Sequence, residues 1–239
     1  MLFEMRKHLL LINKFEIRMK KYFLLLIAMT FLAVLQLAAH QTKGDPVMVE
    51  SSVKIILIHG NSGSKPTDNW IPYVKAELEK AGIPVLAPEF PDNDLARACY
   101  WIPFLHELQA DENTILVGHS SGAIASMRFA EQNKILGSIL IGSYFTDLGY
   151  EKEKLSGYFD EPWDWETIKS NQQWIIQFAS TDDPWIPIQE PQFVRDRLDT
   201  EYYEFNDQGH FGGDYHKPTF PELVNAIKNK LAGRQNRSY

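Results

Sequence analysis

Residues 114–122 read TILVGHSSG, an apolar run that ends in a serine flanked by glycines, and a helical pattern over 122–132 follows directly. The motif Gly-x-Ser-x-Gly therefore lies between a predicted strand and a predicted helix, the context of a sharp strand-to-helix turn. Side chains two positions before and after the serine would collide with the turned backbone. The pattern predicts that Ser120 is held out as a nucleophile at the carboxyl edge of a sheet. Ser121 is the weaker candidate, because it lacks the symmetric glycine spacing.

Outside this stretch, short apolar runs alternate with amphipathic segments, a pattern typical of a parallel sheet with helices on its faces. The predicted strands are 53–58, 85–87, 114–117, 136–141, 174–179 and 201–205. The predicted helices are 70–80, 94–108, 122–132, 190–198 and 220–231, with a kink expected at Pro103 and a short extra helix at 164–169 inside the long connection 142–171. We therefore expect one three-layer α/β domain over 53–232, with a mostly parallel sheet of about six strands.

Composition excludes several classes of protein. The chain has 239 residues, of which 44% are hydrophobic, and this indicates a globular domain rather than a fibrous or disordered chain. The formal net charge of -7 argues against binding to a nucleic acid backbone. The single cysteine, Cys99, excludes an intramolecular disulfide and a cysteine-based zinc site.

The N-terminus has the pattern of an export signal. An apolar run over 22–39 follows three basic residues and ends in small residues, which predicts a signal peptide over 1–39. Met19 would begin a signal of ordinary length, so 1–18 would precede the true start. The alternative is an uncleaved membrane anchor, since about 18 apolar residues is the lower limit for a membrane span. A polar linker is expected over 40–52 and a C-terminal tail over 233–239.

A serine hydroxyl needs a base, and one histidine lies where such a base is required. His210 follows the last predicted strand in a turn-rich loop, and this loop emerges at the same sheet edge as Ser120. His216 is interpreted as a surface histidine. We therefore expect His210 to accept the proton of Ser120.

The acid should follow the preceding strand, in the chain order serine, acid, histidine. Asp182 and Asp183 are adjacent there, and Pro184 comes directly after them. Asp183 is chosen, because Pro184 fixes the backbone beside it. Asp182 is expected to stabilise the turn by hydrogen bonds to the backbone.

The loop after the first strand, residues 59–65, should complete an oxyanion hole. Backbone N–H groups of Asn61 and Ser121 are the expected donors. The loop lacks the spacing of a phosphate-binding loop, so nucleotide binding is not expected. A divalent metal ion on His210, Asp214 and His216 is a weaker alternative, because it would remove His210 from Ser120.

The long connection is rich in aromatic residues, and these have two possible roles. They could line an apolar substrate pocket near Ser120, or they could pin the connection to the core. The candidate pocket residues are Phe159, Trp163, Trp165 and Trp185.

These motifs also carry a resemblance to a known family. Residues 53–231 resemble the retinoblastoma-binding protein nine group of small serine hydrolases. The resemblance rests on GHSSGAIASMRFAE at 118–131, Gly157-Tyr158-Phe159, Pro162-Trp163-x-Trp165, QFASTDDPWIP at 177–187 and Gly209-His210-Phe211. It implies an α/β-hydrolase fold without a large lid domain, no cofactor, and Ser120, Asp183 and His210 as the catalytic triad. The L-x-C-x-E motif of some members is absent around Cys99, so their pocket-protein partner is not implied, and the export signal departs from a mostly intracellular group.

Together the patterns predict an exported serine hydrolase that cleaves a small ester or amide through an acyl-enzyme. The partner expected is a small-molecule substrate, with no nucleic acid, and with no membrane unless the signal is retained. We expect a monomer with neither cofactor nor metal ion. The alternative from another class is a binding protein that kept the fold and lost turnover.

Overall fold

The computed structural model describes residues 53–213 and 216–235. The expected signal peptide over 1–39 and linker over 40–52 lie outside the described residues. Within the described ranges, no helix is both long and apolar enough to cross a bilayer.

The described strands form one fully parallel sheet with the order β2-β1-β3-β4-β5-β6. The strands are β1 (Lys54–Ile58), β2 (Val85–Leu86), β3 (Thr114–His119), β4 (Gly137–Ile141), β5 (Ile175–Ser180) and β6 (Glu201–Phe205). All six predicted strands are confirmed, with ends that differ by at most two residues. The strand order reverses between β1 and β3, so the loops that follow these two strands diverge and leave a crevice at the carboxyl edge.

The helices of the described residues are α1 (Ile71–Glu79), α2 (Ala98–Glu107), α3 (Ser121–Ala130), α4 (Glu151–Leu155), α5 (Trp165–Ser170), α6 (Gln189–Leu198) and α7 (Pro221–Gln235). Helix α2 begins four residues later than expected, because Asp92 accepts hydrogen bonds from the backbone and side chain of Arg97 and closes a turn there. The helix continues through Pro103. Helix α4 was not predicted, and α7 extends into the expected tail.

Two apolar layers cover the two faces of the sheet. On β1, Ile56 and Ile58 face the layer with α2, α3 and α6, whereas Ile55 and Leu57 face the layer with α1 and α7. Side chains alternate along a strand, so an uninterrupted apolar strand serves both layers. The expected three-layer domain is therefore confirmed.

Candidate active site

Ser120 lies on a sharp turn between β3 and α3. Its backbone has φ 55° and ψ -121°, which a residue with a side chain seldom adopts. The Ser120 N–H donates to the Ile141 carbonyl at 2.8 Å, so the end of β4 holds the turn in place. The Ser120 side chain faces a cavity at the carboxyl edge of the sheet.

The two glycines of the motif are required by close packing of the backbone. A Cβ atom on Gly118 would lie 2.2 Å from the Gly122 carbonyl oxygen. A Cβ atom on Gly122 would lie 2.6 Å from the carbonyl oxygen of Ile58, at the end of β1. Both contacts are too short for any side chain. The collision at Gly118 is with the turn itself, as predicted, whereas the collision at Gly122 is with the neighbouring strand.

His210 and Asp183 form a buried pair, and His210 lines the same cavity as Ser120. His210 Nδ1 lies 2.7 Å from Asp183 Oδ2, and the Asp183 side chain is only 3% exposed. The other Asp183 oxygen accepts the backbone N–H groups of Trp185 and Ile186, at 2.9 and 3.0 Å. These bonds fix the carboxylate, so it holds the proton of His210 on Nδ1 and leaves Nε2 free to act as a base.

Asp182 has a different role from Asp183. One oxygen of Asp182 accepts the Ser180 hydroxyl at 2.5 Å and the Gly209 N–H at 3.0 Å. These bonds, that of Ser180 foremost, lower the pKa of Asp182. Asp182 therefore ties the loop after β5 to the loop that carries His210.

His119 supports His210 from within the elbow. His119 Nε2 donates to the His210 carbonyl at 2.7 Å, and the two rings lie 4.8 Å apart between centroids. Burial, aided by the nearby His210, lowers the pKa of His119 to about 3. A neutral His119 can support the base without placing a second positive charge beside it.

Gly142, which directly follows β4, leaves room for the side chains of His210 and Asp183. A Cβ atom there would lie 3.0 Å from His210 Cε1 and 3.8 Å from Asp183 Oδ2, and the residue has φ +57°. Neither His119 nor Gly142 was singled out as functional from the sequence, because a lone histidine and a strand-end glycine carry no recognisable pattern there.

Hydrogen bonds of His59 fix the loop after β1. Phe90 N–H donates to His59 Nε2 at 2.9 Å, so the His59 proton lies on Nδ1 and is donated to the Gly60 carbonyl at 2.7 Å. In a trans peptide the carbonyl and the next N–H point in opposite directions. The bond from His59 therefore turns the Asn61 N–H away from the buried ring. Burial lowers the pKa of His59, which favours the neutral ring.

Two backbone N–H groups near the nucleophile turn have no protein acceptor. Within residues 53–213 and 216–235, the N–H groups of Asn61 and Ser121 donate to no protein acceptor. Ser121 is the first residue of α3, whose positive dipole end also lies here. The sequence predicted these two residues as donors, and the structure places them on the loops after β1 and β3, which border the crevice.

The cavity has a volume of about 940 Å³ and opens at the crevice between these loops. Ser120 and His210 both line it. The lining includes polar side chains, among them Asn61, Ser62, Ser64, Thr67 and Asn69. It also includes the apolar or aromatic side chains Leu148, Tyr150, Trp185 and Ile186.

Of the four aromatic pocket candidates, the structure brings only Trp185 to this cavity. Phe159, Trp163 and Trp165 are not among its lining residues and instead pack partly buried against the core layer of α2, α3 and α6. The Trp163 indole N–H donates to the Phe145 carbonyl at 2.9 Å, and its ring stacks on Trp165. The pocket role expected for these three residues is therefore corrected, because their rings pin the β4–β5 connection to the core.

Two functional candidates in this connection were missed from the sequence. Glu153, on α4, accepts hydrogen bonds from the Asn61 side chain and the Tyr144 hydroxyl, both at 2.7 Å. Glu153 and Tyr144 both line the cavity. An acidic residue in a charged stretch is normally solvated, so no pattern in the sequence distinguished Glu153 from its neighbours.

The alternative metal site gains no support from the part of the chain that the structure describes. No group of three or more potential ligands occurs there. Asp214 lies outside the described residues, so the full proposed set of ligands is not covered. His210 Nδ1 already bonds Asp183.

Comparison with known proteins shows the family of the chain. The serine hydrolase family model matches residues 55–229. The chain is 46% identical over 184 residues to serine hydrolase RBBP9 of Rattus norvegicus, covering 76% of this chain and 97% of the rat protein.

Solved structures show the fold. The ydeN gene product of Bacillus subtilis superposes with a TM-score of 0.69 at 24% identity, covering 76% of this chain and 100% of that one. A structure from work on carboxylesterases of Nitrososphaera gargenis superposes with a TM-score of 0.59 at 14% identity, covering 78% and 92%. The chain therefore belongs to the serine hydrolase family, in the group that includes rat RBBP9, and is a hydrolase with an α/β-hydrolase fold.

Proposed function

We propose that the chain hydrolyses a small carboxylic ester or amide through an acyl-enzyme on Ser120. The observation that carries the proposal is the 2.7 Å bond between His210 Nδ1 and Asp183 Oδ2, beside Ser120 in one cavity. Because this bond occupies Nδ1, Nε2 is the nitrogen that can accept a proton from the serine hydroxyl.

In the first half of the reaction, His210 Nε2 takes the Ser120 proton as Oγ attacks the substrate carbonyl carbon. The carbonyl oxygen becomes an oxyanion, and the N–H groups of Asn61 and Ser121 donate to it. The tetrahedral intermediate then expels the alcohol or amine, which takes the proton from His210. The product of this half-reaction is an acyl-Ser120 ester.

In the second half, water replaces the leaving group. His210 Nε2 accepts a proton from the water as its oxygen attacks the acyl carbon, and the same two N–H groups stabilise the second oxyanion. Collapse of that intermediate returns the proton to Ser120 Oγ and releases the acid. Asp183 stays ionised throughout and stabilises the imidazolium form of His210.

The lining of the cavity supports a substrate with one apolar part. Trp185 and Tyr150 are 48% and 46% exposed, so each leaves aromatic surface available to a ligand. They line the cavity together with Leu148 and Ile186. We propose that the apolar acyl or aryl part of the substrate rests against these side chains.

Labelling with a fluorophosphonate probe tests the proposal. Wild-type protein should be labelled, Ser120→Ala should not, and Ser170→Ala at an exposed position is the matched control that should be labelled normally. Loss of labelling in Ser121→Ala but not in Ser120→Ala would contradict the choice of nucleophile. A folded wild-type protein that neither labels nor turns over esters would favour the alternative, a binding protein without activity.

A substrate panel then separates the two leaving-group classes. Short and long acyl esters should be compared with aminoacyl amides, with kcat/KM as the readout. Trp185→Ala should raise KM most for the largest apolar group, because binding in the ground state is lost. An equal effect on all substrates would contradict the proposed position of the apolar group.

We further propose that the protein is exported and that the mature chain begins close to His40. We also propose that the mature protein is a monomer. The sequence over 22–39 supports this proposal by its basic flank and small terminal residues. Residues 1–39 carry six Lys/Arg and two Asp/Glu, so the mature protein would have a formal net charge of -11. Intact mass of the protein from its native host tests it, and retention of 22–39 would indicate an anchored protein.

A further inference from the structure

The carboxyl group of Glu153 is buried between two residues of the cavity wall. The residue is 7% exposed, and both of its oxygens are bonded: Oε1 accepts the Asn61 amide and Oε2 accepts the Tyr144 hydroxyl, each at 2.7 Å. The Tyr144 oxygen also lies 3.3 Å from Ser121 Oγ. Since the one hydroxyl hydrogen of Tyr144 goes to Glu153, Ser121 is the donor in this last contact.

The burial of Glu153 runs against what folding alone would favour. Helix α4 has the sequence EKEKL; it buries Glu153 and leaves Leu155 54% exposed. Burying a carboxylate is costly even when it is hydrogen-bonded, whereas burying a leucine is favourable. A helix that places its acid inside and its leucine outside therefore points to a functional use of the acid.

The ends of this hydrogen-bonded chain are the two expected oxyanion donors. It runs from Asn61, on the loop after β1, through Glu153 and Tyr144 to Ser121, the first residue of α3. The backbone N–H groups of both residues donate to no protein acceptor in the described ranges. One buried carboxylate thus connects both sides of the oxyanion site.

We propose that Glu153 is a positioning residue that, together with Tyr144, holds Asn61 and Ser121 at the spacing needed to bind the oxyanion. This inference rests on the proposed function of Ser120. It assigns to the β4–β5 connection a part in the chemistry, although no residue of the connection need touch the reacting atoms.

The surroundings of Glu153 agree with this role. Burial raises its pKa, while hydrogen bonds from Tyr144 and Asn61 and the proximity of His210 oppose that shift. Burial also raises the pKa of Tyr144, so its hydroxyl keeps the hydrogen that it donates to Glu153. The negative charge of the nearby Asp147 also raises the pKa of Glu153.

The kinetic signature should be a loss of kcat with little change in KM. Oxyanion donors act on charge that is present only near the transition state, so misplacing them leaves substrate binding intact. Removal of one such donor costs about 10²–10³-fold in kcat in a studied protease, so displacement by Glu153→Ala should cost about 10- to 100-fold here. Glu166→Gln, the same kind of change at an exposed position on α5, should leave kcat unchanged and serves as the control for Glu153→Gln.

An exchange of the two partners separates positioning from general stability. Asn61→Asp places two carboxyl groups against each other and should lower kcat at least as much as Glu153→Ala. In the double variant Asn61→Asp with Glu153→Gln, the new amide at 153 donates to the new carboxylate at 61. The amide oxygen at 153 accepts from the Tyr144 hydroxyl. Both hydrogen bonds therefore return, and only the bond between 61 and 153 has its direction reversed. We expect kcat to recover about tenfold relative to Asn61→Asp alone.

The experiment measures kcat and KM with a p-nitrophenyl ester, active-site concentration with the fluorophosphonate probe, and thermal stability for each variant. Unchanged kcat in every Glu153 variant, or an exchange variant no better than Asn61→Asp at matched folded fraction, would overturn the positioning role alone. Wild-type labelling that persists in Ser120→Ala would overturn the proposed function instead. The two failures are therefore distinguishable.

Discussion

The carboxyl edge of the sheet and the β4–β5 connection, residues 142–174, contribute to the site in different ways. At the edge, each reactive side chain follows a strand closely: Ser120 after β3, Asp183 after β5 and His210 after β6. In the connection, most aromatic side chains pack away from the cavity, and the contribution comes from polar groups of Tyr144 and Glu153. The edge positions its groups by backbone geometry, whereas the connection does so by buried hydrogen bonds.

The connection has little secondary structure to hold it in place. Helices α4 and α5 have five and six residues, too short to be stable alone. Arg128 of α3 anchors the segment, because it donates to the carbonyls of Tyr158 and Glu161 at 2.8 and 2.6 Å and stacks over the Trp163 ring. The position of this region therefore depends on tertiary contacts.

The largest expected effect is at the edge, where Asp183→Asn should lower kcat about 10⁴-fold. The amide cannot stabilise the imidazolium of His210 and favours the wrong tautomer. Asp182→Asn should cost less than about tenfold, because an asparagine oxygen can still accept from Ser180 and Gly209. Ester turnover at matched folded fractions is the measurement, and a dead Asp182 variant with an active Asp183 variant would exchange their roles.

The next effect lies where the two regions meet. Gly142→Ala should lower kcat/KM about 100-fold, because its Cβ would push the His210 ring from its place and a misplacement of about 1 Å can cost that much. Gly149→Ala is the matched control, with φ +74° and nothing within 4 Å of its Cβ. Both variants bear the same backbone strain, so similar kinetics for the two would show that contact with His210 is unimportant.

A smaller effect is expected in the connection itself. Trp163→Ala should destabilise the fold by about 2 to 3 kcal/mol, because a half-buried ring, its stacking on Trp165 and its bond to Phe145 are lost. Its kcat should stay within about threefold. Trp185→Ala, at the cavity mouth, should change stability by less than about 0.5 kcal/mol. Urea unfolding tests both variants. A larger loss of stability in Trp185→Ala than in Trp163→Ala would contradict the assignment of Trp163 to the core and of Trp185 to the cavity.

The smallest effect is a pH dependence of the free energy of unfolding, which arises from His119 at the carboxyl edge of the sheet. The folded pKa of His119 is about 3, below its ordinary value of 6.5, so the unfolded chain binds more protons between these values. Stability from this group is therefore full above pH 6.5 and is lost as the pH falls. Between pH 6.5 and pH 5 wild type should lose up to about 2 kcal/mol more than His119→Gln, whose amide can still donate to His210. Equal losses in urea unfolding would show that folding does not lower the pKa of His119.

Much of the fold was predictable because its strands and motifs are local. The strand ends agreed to within two residues, since uninterrupted apolar runs such as those of β3 and β4 suit a sheet buried on both faces. Helix α2 was predicted to begin four residues too early, because the periodicity of apolar residues does not reveal the turn that Asp92 closes with Arg97. Helix α4 was missed, because its apolar residue is exposed and its acid is buried.

The reactive side chains were predictable for a related reason. In a parallel sheet the carboxyl ends of all strands lie on one edge, so residues 90 positions apart, such as Ser120 and His210, were expected to meet there. The aromatic connection offered no such rule. Its rings could face either the cavity or the core: Tyr144 and Tyr150 line the cavity, whereas Phe159, Trp163 and Trp165 pack against the core.

The sequence by itself determined the strand-to-helix turn at Ser120, because the backbone of that turn leaves no space for a side chain at Gly118. It also determined the three-layer architecture, because uninterrupted apolar strands place apolar side chains on both faces of the sheet and require helices to cover them. Only the tertiary structure decided that Glu153 is buried and joined to Asn61 and Tyr144. A charged side chain leaves water only when partners from distant segments satisfy its oxygens, and those partners are brought together by the completed fold.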